Sequence, residues 1–332
     1  MILTHGNQNL VQRHRTRVAR LGLCLVIAAT PLVIATGCAT GSGDTSGAAQ
    51  MVNQADFATP EDAAEALIAA AETYDVDALT RILGPDGVDL MDTGDPVQDR
   101  NQSLAFAAQA RFKTEVDRVP LDPHVAILSV GAEDWPVPMP IVEEGGRWFF
   151  DTEAGREELL YRRVGRNELD AIDVCLDYVD AQRDYALVKH DDVLVNQYAQ
   201  HIISTPGKQN GLAWRAPDGT VEGPLGEEIA QVIAEGYTER FEPYHGYYFK
   251  VLKGQGPDAP LGEIDFVVMG AMIGGFALAA APVEYGLSGV KTFIVSHNGI
   301  VYEQDLGETT LDQFRAMEIY NPDSSWDPVA FD

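Results

Sequence analysis

Four arginines, an apolar run and a cysteine, in that order, decide how much of this 332-residue chain is available to fold. Arg13, Arg15, Arg17 and Arg20 precede the apolar stretch Leu21–Ala35, and Ala35-Thr36-Gly37-Cys38 follows it. A basic segment, an apolar segment and small residues at a cleavage point are the parts of an export leader, which is removed and takes no part in the fold. Ala35-x-Gly37 also satisfies the small-x-small rule of an ordinary secretory signal. A retained anchor is the third use of such a run, but its 15 residues include Pro31 and are short against the roughly 20 that span a bilayer.

The cysteine directly after the small residues resembles the lipobox of bacterial lipoproteins, with Ala35 where that pattern usually carries Leu. The resemblance implies export, cleavage before Cys38 and lipid attachment at Cys38, hence a protein anchored to a membrane of the bacterial envelope and facing the periplasm or the cell exterior. Residues 39–47 are Gly-, Ser- and Thr-rich and offer little apolar surface to bury, so residues 38–56 are expected to act as a flexible tether. Several acyl chains hold a protein stably at a membrane where one does not, so no membrane-binding patch is required of the body.

Composition narrows the partners. The formal charge is −28, and removal of residues 1–37, which hold four Arg and no acid, leaves 19 basic against 51 acidic residues, or −32. Such a surface repels nucleic acid and anionic headgroups. Solubility or a saline habitat accounts for it without a cation-binding role. Only Cys38 and Cys175 remain after the leader. With Cys38 acylated, Cys175 has no partner, and the fold is expected to use no disulfide although export would permit one. The remaining length suffices for two domains of ordinary size, placed at 57–152 and 153–332.

The first reads as helices followed by strands. Thr59-Pro60-Glu61-Asp62 is a helix start with a capping hydroxyl, a proline suited to the first turn and acids at the positive end of the dipole. Ala64, Leu67, Ile68, Ala71 and Tyr74 then share one helical face. Further helices are predicted at Asp77–Leu83 and Asp99–Lys113, then strands at His124–Val130, Val137–Val142 and Arg147–Asp151, the last two joined by Gly145-Gly146. Aspartates at 86, 89, 92, 95 and 99 invite a calcium reading, but their spacing does not fit an EF-hand loop and ordinary turn chemistry explains them.

The second half opens on a long charged helix from about Glu153, with Leu169, Ile172, Leu176 and Val179 as its apolar seam and Cys175 beside it. A loop-rich stretch from His190 to Gly223 follows. An antiparallel sheet then begins at Tyr244 and continues through Phe266–Met269, Phe276–Ala280, Thr292–His297 and Ile300–Asp305. Asn298-Gly299 predicts a two-residue hairpin with both turn residues at positive φ. The fold class is therefore α+β, each domain packing helices on an antiparallel sheet.

Three resemblances bear on this. Pro60-Glu61-Asp62-Ala63 and Gly146-Arg147-Trp148 resemble the opening helix and closing strand of the nuclear-transport-factor-like (SnoaL-like) cone, which implies an apolar pocket. Asn167-Glu168-x-x-Ala171, Ala181-Gln182-x-x-Tyr185, Gly289–Val295 and Gly299-x-Val301-Tyr302 are similar to the globular head of type IV pilin-like proteins, although no prepilin cleavage site precedes the helix and its start is charged. The whole mature chain resembles a bacterial exported family known only as a domain of unknown function, the one numbered 2950. The residues that carry this are Gly94–Val97 with Asp99-Arg100, Ser204-x-Pro206-Gly207-Lys208-x-x-Gly211-Leu212, Pro243–Phe249 and Met272–Ala277.

The residues with chemistry to offer are His201, Ser204, Lys208, His245, Lys291, His297 and Glu303. Ser204 lies in no nucleophile-elbow pattern, and Ser204–Lys208 lacks the glycine spacing and the leading strand of a phosphate loop. No His-Glu-x-x-His or paired-cysteine motif suggests a metal, and nothing suggests a cofactor. His297, before a hairpin turn, is expected to be exposed. A ligand patch is expected at Tyr244, His245, Tyr247, Tyr248 and Lys208, where aromatic faces and an imidazole meet a sugar or peptide. The expectation is a non-enzymatic envelope lipoprotein that binds an envelope protein or a cell-wall component. The alternatives are a periplasmic hydrolase built from His245, Lys208 and Ser204, or a small-molecule carrier using a pocket faced by Tyr74, Trp148 and Phe150.

Overall fold

Thr59 opens the first helix as its sequence predicts. In the computed structural model, which describes residues 54–330 apart from 85–86, 88–89, 91–95, 192 and 227–242, its hydroxyl accepts from the Asp62 N–H at 3.1 Å and starts α1, Pro60–Thr73. The Asp75 carboxylate caps α2, Val76–Leu83, through the Ala78 N–H at 2.9 Å. Helix α3, Pro96–Phe112, follows. The leader, Cys38 and most of the Asp86–Asp99 loop with its calcium reading lie outside the described residues. The tether ends earlier than expected: the Gln54 amide donates to the Ile82 and Phe150 carbonyls (3.0 and 2.7 Å), and Phe57 pairs its backbone with Trp148. Residues 54–56 thus belong to the folded body.

Five antiparallel strands come next: β1 Thr114–Val119, β2 Asp122–Val130, β3 Trp135–Pro136, β4 Ile141–Glu144 and β5 Arg147–Phe150, in the order β1-β2-β4-β5 with β3 on β2. The expected strand Val137–Val142 is displaced, because Pro138 and Pro140 have no N–H for a ladder and pairing resumes only at Ile141. Strand β1 was not foreseen. It is an edge strand with no buried residue, so it carries no apolar alternation to read. Leu67, Ile68, Leu79, Leu128, Ile141, Trp148 and Phe150 fill the core between these helices and this sheet.

Asp151 caps α4, Thr152–Tyr185, a 34-residue helix roughly 50 Å long. Its start belongs to the first core's surroundings: the Thr152 hydroxyl donates to the Leu83 carbonyl, and the Arg162 guanidinium donates to the Pro136 carbonyl and lies over the Trp135 ring. Its second half packs on a second sheet. The buried face there is Ala171, Ile172, Cys175, Tyr178, Val179, Gln182 and Tyr185, so the apolar seam read from aliphatic residues alone was rotated. Leu169 is 49% exposed, and Cys175, expected beside the seam, is at its centre and fully buried.

The stretch expected to be loop holds a small sheet: β6 His201–Ile203 runs parallel to β7 Gly211–Arg215, which pairs antiparallel with β8 Val221–Glu222. The main sheet follows. It opens with β9 Tyr247–Leu252; two separate two-stranded sheets follow in the chain, β10 Gly254–Gln255 with β11 Ile264–Asp265 and β12 Val267–Val268 with β13 Ala271–Met272, and the main sheet resumes with β14 Ala277–Pro282, β15 Lys291–Ser296 and β16 Val301–Asp305. After helix α5, Thr310–Ala316, strand β17, Asp327–Pro328, completes the order β17-β16-β15-β14-β9, antiparallel throughout. Every residue of β14 is buried, since α4 and α5 both pack on it. A strand covered on both faces shows no period-two alternation, and its alanines let the helices come close. The Asn298-Gly299 hairpin exists but in another form: only Gly299 has positive φ (76°), and its N–H closes a turn onto the Ser296 carbonyl at 2.8 Å.

Candidate functional site

The sequence candidates separate into two places. The first is the turn before β9. Tyr244 and Tyr247 exchange backbone hydrogen bonds (2.9 and 3.0 Å) around His245 and Gly246, both at positive φ (46° and 76°). For a histidine this left-handed conformation costs about 1 kcal/mol or more. It is held there because its ring Nδ1 meets the Asp170 carboxylate at 2.5 Å and its face stacks on Tyr244, centroids 4.1 Å apart. Asn167, one turn earlier on α4, donates to the Ser288 carbonyl (2.8 Å), and a Cβ on Gly246 would come within 2.7 Å of that amide. Glu168 accepts from the Val290 and Lys291 N–H groups (2.8 and 3.0 Å) at the start of β15. Asp170, Asn167 and Glu168 were not among the sequence candidates. Asn167 and Asp170 are three apart and so share a helix face, but the partners of all three residues lie 75 to 123 residues away.

The second place is the loop between β6 and β7. Thr205-Pro206-Gly207-Lys208 is a type II turn: Pro206 fixes the first corner, Gly207 takes φ 78° at the second, and the Lys208 N–H returns to the Thr205 carbonyl at 2.9 Å. Asn210 clamps the loop through the Thr205 N–H and hydroxyl (2.9 and 3.2 Å), and Asp191 accepts from the Gln209 N–H. The Ser204 hydroxyl accepts from the Gly211 N–H at 2.8 Å. A strand, β6, does lead into this loop, contrary to expectation, but a strand rather than a helix follows, so it remains unlike a phosphate loop. Ser204, Thr205 and Lys208, with Trp214 and Arg215 of β7, line an open groove of about 250 Å³.

The structure does not bring Ser204 or Lys208 to His245. Neither His245 nor Asp170 lines that groove, and the histidine's contacts are Asp170 and Tyr244. Nucleophilic catalysis needs base and nucleophile within about 2.6–3.2 Å, a contact that Ser204 does not make with His245. The anticipated ligand patch is not one surface either. Tyr247 is fully buried with its hydroxyl on the Lys291 carbonyl, Tyr248 packs against the core, and Lys208 stands in the other loop. The three faces assigned to a carrier pocket differ in setting: Trp148 and Phe150 are core residues, while Tyr74 is the half-buried C-cap of α1. Lys291 and Glu303 form an ion pair at 3.6 Å across neighbouring strands. His201 is exposed on β6, its pKa lowered by partial burial and the charge of Lys253.

A family model described as "Protein of unknown function (DUF2950)" matches residues 54–329. The chain belongs to this family. No curated protein and no solved structure matches it, so the likenesses to a pilin head and to a SnoaL-like cone rest on the quoted motifs. The DUF2950 match begins at Gln54, the residue whose side chain ties the segment before α1 to α2 and β5. Two of the stretches that carry the family resemblance, Ser204–Leu212 and Pro243–Phe249, are the two loops just described. A third, Met272–Ala277, runs from β13 into β14 past His297.

His297 corrects a further expectation. It is half-buried, not exposed, with the rings of Phe266 and Phe276 at 6.0 and 6.2 Å and its Nδ1 enclosed without a hydrogen-bond partner among the described residues. Burial first, and then the charge of Arg183, hold its pKa below the ordinary 6.5. The folded imidazole therefore releases its proton more readily than the unfolded one. Its contribution to stability is present above 6.5 and is lost as pH falls below that value, because the unfolded chain takes up the extra proton. Urea titrations between pH 7.5 and 5 should show stability dropping on acidification, with a smaller drop in His297→Gln. An equal drop in both proteins would assign the effect to other groups.

Proposed function

We propose that this DUF2950 protein is a lipid-anchored envelope protein that works by binding, not by catalysis. The observation that carries the second half of this statement is the separation of Ser204 and Lys208 from His245, each held by different elements and different partners. The first half is supported by the leader and Cys38. No helix among the described residues is long and apolar enough to cross a membrane. The body would then present its groove and its His245 turn to the periplasm or cell exterior, where an envelope protein or cell-wall component is the partner.

Cys38→Ala provides the test. The wild-type protein should sediment with membranes and the variant should move to the soluble exported fraction, with a changed set of partners captured from native membranes. Unchanged fractionation overturns the anchor. A hydrolytic activity of the purified protein that disappears in both Ser204→Ala and His245→Ala overturns the non-enzymatic reading.

A further inference from the structure

We infer that the free edge of β1 takes up an extended strand of alternating apolar and basic residues, supplied by a second protein. This rests on the reading of the protein as a binding module and names the surface and the class of partner. The main chain comes first. The Lys113 carbonyl accepts from the Gly131 N–H at 3.0 Å, so by alternation Glu115 and Asp117 point their backbone groups at β2. The Leu128 carbonyl, opposite Val116, turns away from β1 and accepts from the Val137 N–H at 2.7 Å, as the same alternation requires. The backbone N–H and C=O groups of Thr114, Val116 and Arg118 therefore face outward, and none of them bonds to another described residue. The opposite edge of this sheet differs, because Phe57 pairs there with Trp148. An unpaired edge is a template for a further strand, and main-chain hydrogen bonds give such an addition its affinity.

The second argument is space. A groove of about 610 Å³ lies between α1 and this edge. Thr114 and Val116 line it and no residue of β2, β4 or β5 does, so it opens at the edge of the sheet and not over its middle. Ala64 and Ile68 of α1 and Ala110 of α3 give it an apolar floor, and Phe112, 75% exposed, stands beside them. Side chains alternate across a strand. A strand added to β1 would place every second side chain here, against Val116, Ile68 and Phe112.

The third argument is charge. The intervening side chains would fall on the other face, beside the exposed Glu115 and Asp117. Opposite charges on neighbouring strands stabilise the pair and like charges oppose it. The carboxylates of Asp117, and of Glu61 and Asp62 at the groove's rim, have no partner among the described residues. The neighbouring cations are engaged: Arg111 by Glu65 and Glu72 at 2.8 Å, Lys113 by Asp134, and Arg118 over the Trp148 ring. The edge thus favours a basic strand. It disfavours a second copy of itself. Two β1 strands related by a two-fold axis would set Glu115 against Asp117, or Asp117 against its counterpart, in the best-overlapped registers.

Fluorescence anisotropy of the full-length protein in detergent tests this with a short synthetic peptide of alternating valine and lysine, methylated at the backbone nitrogens of one edge so that it cannot build extended sheets. Saturable binding is expected. It should vanish when the nitrogens of both edges are methylated, and weaken when glutamate replaces lysine or when the same residues are arranged in blocks. Asp117→Lys, at an exposed edge position, should weaken the lysine peptide about five- to tenfold and improve the glutamate peptide, with an unchanged melting temperature. Hydrogen exchange read by NMR should show new protection at the Thr114, Val116 and Arg118 amides and little change at Glu115 and Asp117, which already face β2. Absence of saturable binding, indifference to the second methylation or to Asp117→Lys, or protection of another strand in place of β1 each overturns the assignment. Self-association of the protein alone that protects the same three amides overturns it too. If the peptide fails while Cys38→Ala still releases the protein and alters its captured partners, the binding-module reading stands and the β1 edge is wrong.

Discussion

Tyr247→Ala should lower the unfolding free energy by about 3–5 kcal/mol, and Tyr247→Phe by about 1 kcal/mol, measured by urea denaturation. The side chain is fully buried at the start of β9. Its ring lies 5.9 Å from Phe293 of β15, on the same face of the sheet, and its hydroxyl donates to the Lys291 carbonyl at 2.9 Å. Alanine removes the packed ring and leaves a cavity. Phenylalanine keeps the ring and removes one hydrogen bond. A tyrosine serving mainly a ligand would behave differently, with binding lost and stability within about 0.5 kcal/mol of wild type. That result would return Tyr247 to the ligand patch.

Tyr247 also shows where a sequence stops being readable. Four aromatic or imidazole rings in Tyr244–Tyr248 look like a recognition surface when read along the chain. Two of them differ in burial only because α4 and the Gly289 turn close over one side of the strand, and nothing local encodes that covering. Signals confined to a few residues were legible. The Thr59, Asp75 and Asp151 caps start helices, and the order of helices before antiparallel strands follows from patterning. Signals that depend on both faces of an element were not. β14 has no alternation because helices bury it on both sides, and β1 has none because only Val116 of it packs, partly buried, against the core.

The candidate sites divide along the same line. The β6–β7 loop was found because Thr205-Pro206-Gly207-Lys208 is self-contained chemistry, a turn that would form in many contexts. Trp214 and Arg215 escaped notice because they enter the groove only once β7 pairs with β6. His245 was noticed for its aromatic neighbours, whereas its actual partner, Asp170, is on a helix 75 residues earlier. The helix register decided this. Reading only Leu169, Ile172, Leu176 and Val179 as the seam omitted Tyr178, Gln182 and Tyr185, which are polar at one end and buried. A corrected seam puts Asn167 and Asp170 towards the turn at 244–247, and with them the tie between helix and sheet.

Gln182→Leu should cost about 3–5 kcal/mol although it replaces a polar side chain in the core with an apolar one of similar size. Gln182 has no exposed surface. Its amide N–H groups donate to the Tyr178 hydroxyl (2.9 Å) and the Ala199 carbonyl (2.8 Å), and its Oε1 accepts from the Ala199 N–H (2.8 Å). The glutamine thereby pairs with Ala199 as a neighbouring strand would, where no strand is present. Leucine would leave both backbone groups of Ala199 buried without these partners, and the expense of unpaired buried groups exceeds the gain from an apolar replacement. Gln182→Glu separates the two halves of the contact. A carboxylate still accepts from the Ala199 N–H but cannot donate to its carbonyl, whereas the protonated acid can supply one O–H. Burial raises the pKa of such a carboxyl above its unfolded value, so the folded state binds the proton more readily and the Glu variant should gain stability relative to wild type as pH is lowered from 8 to 5. Urea titrations at the two pH values read both effects. A Leu variant within about 1 kcal/mol of wild type, or a Glu variant whose deficit does not shrink at pH 5, would mean that Ala199 finds other partners and that the helix is held to the β6–β7 sheet by packing alone.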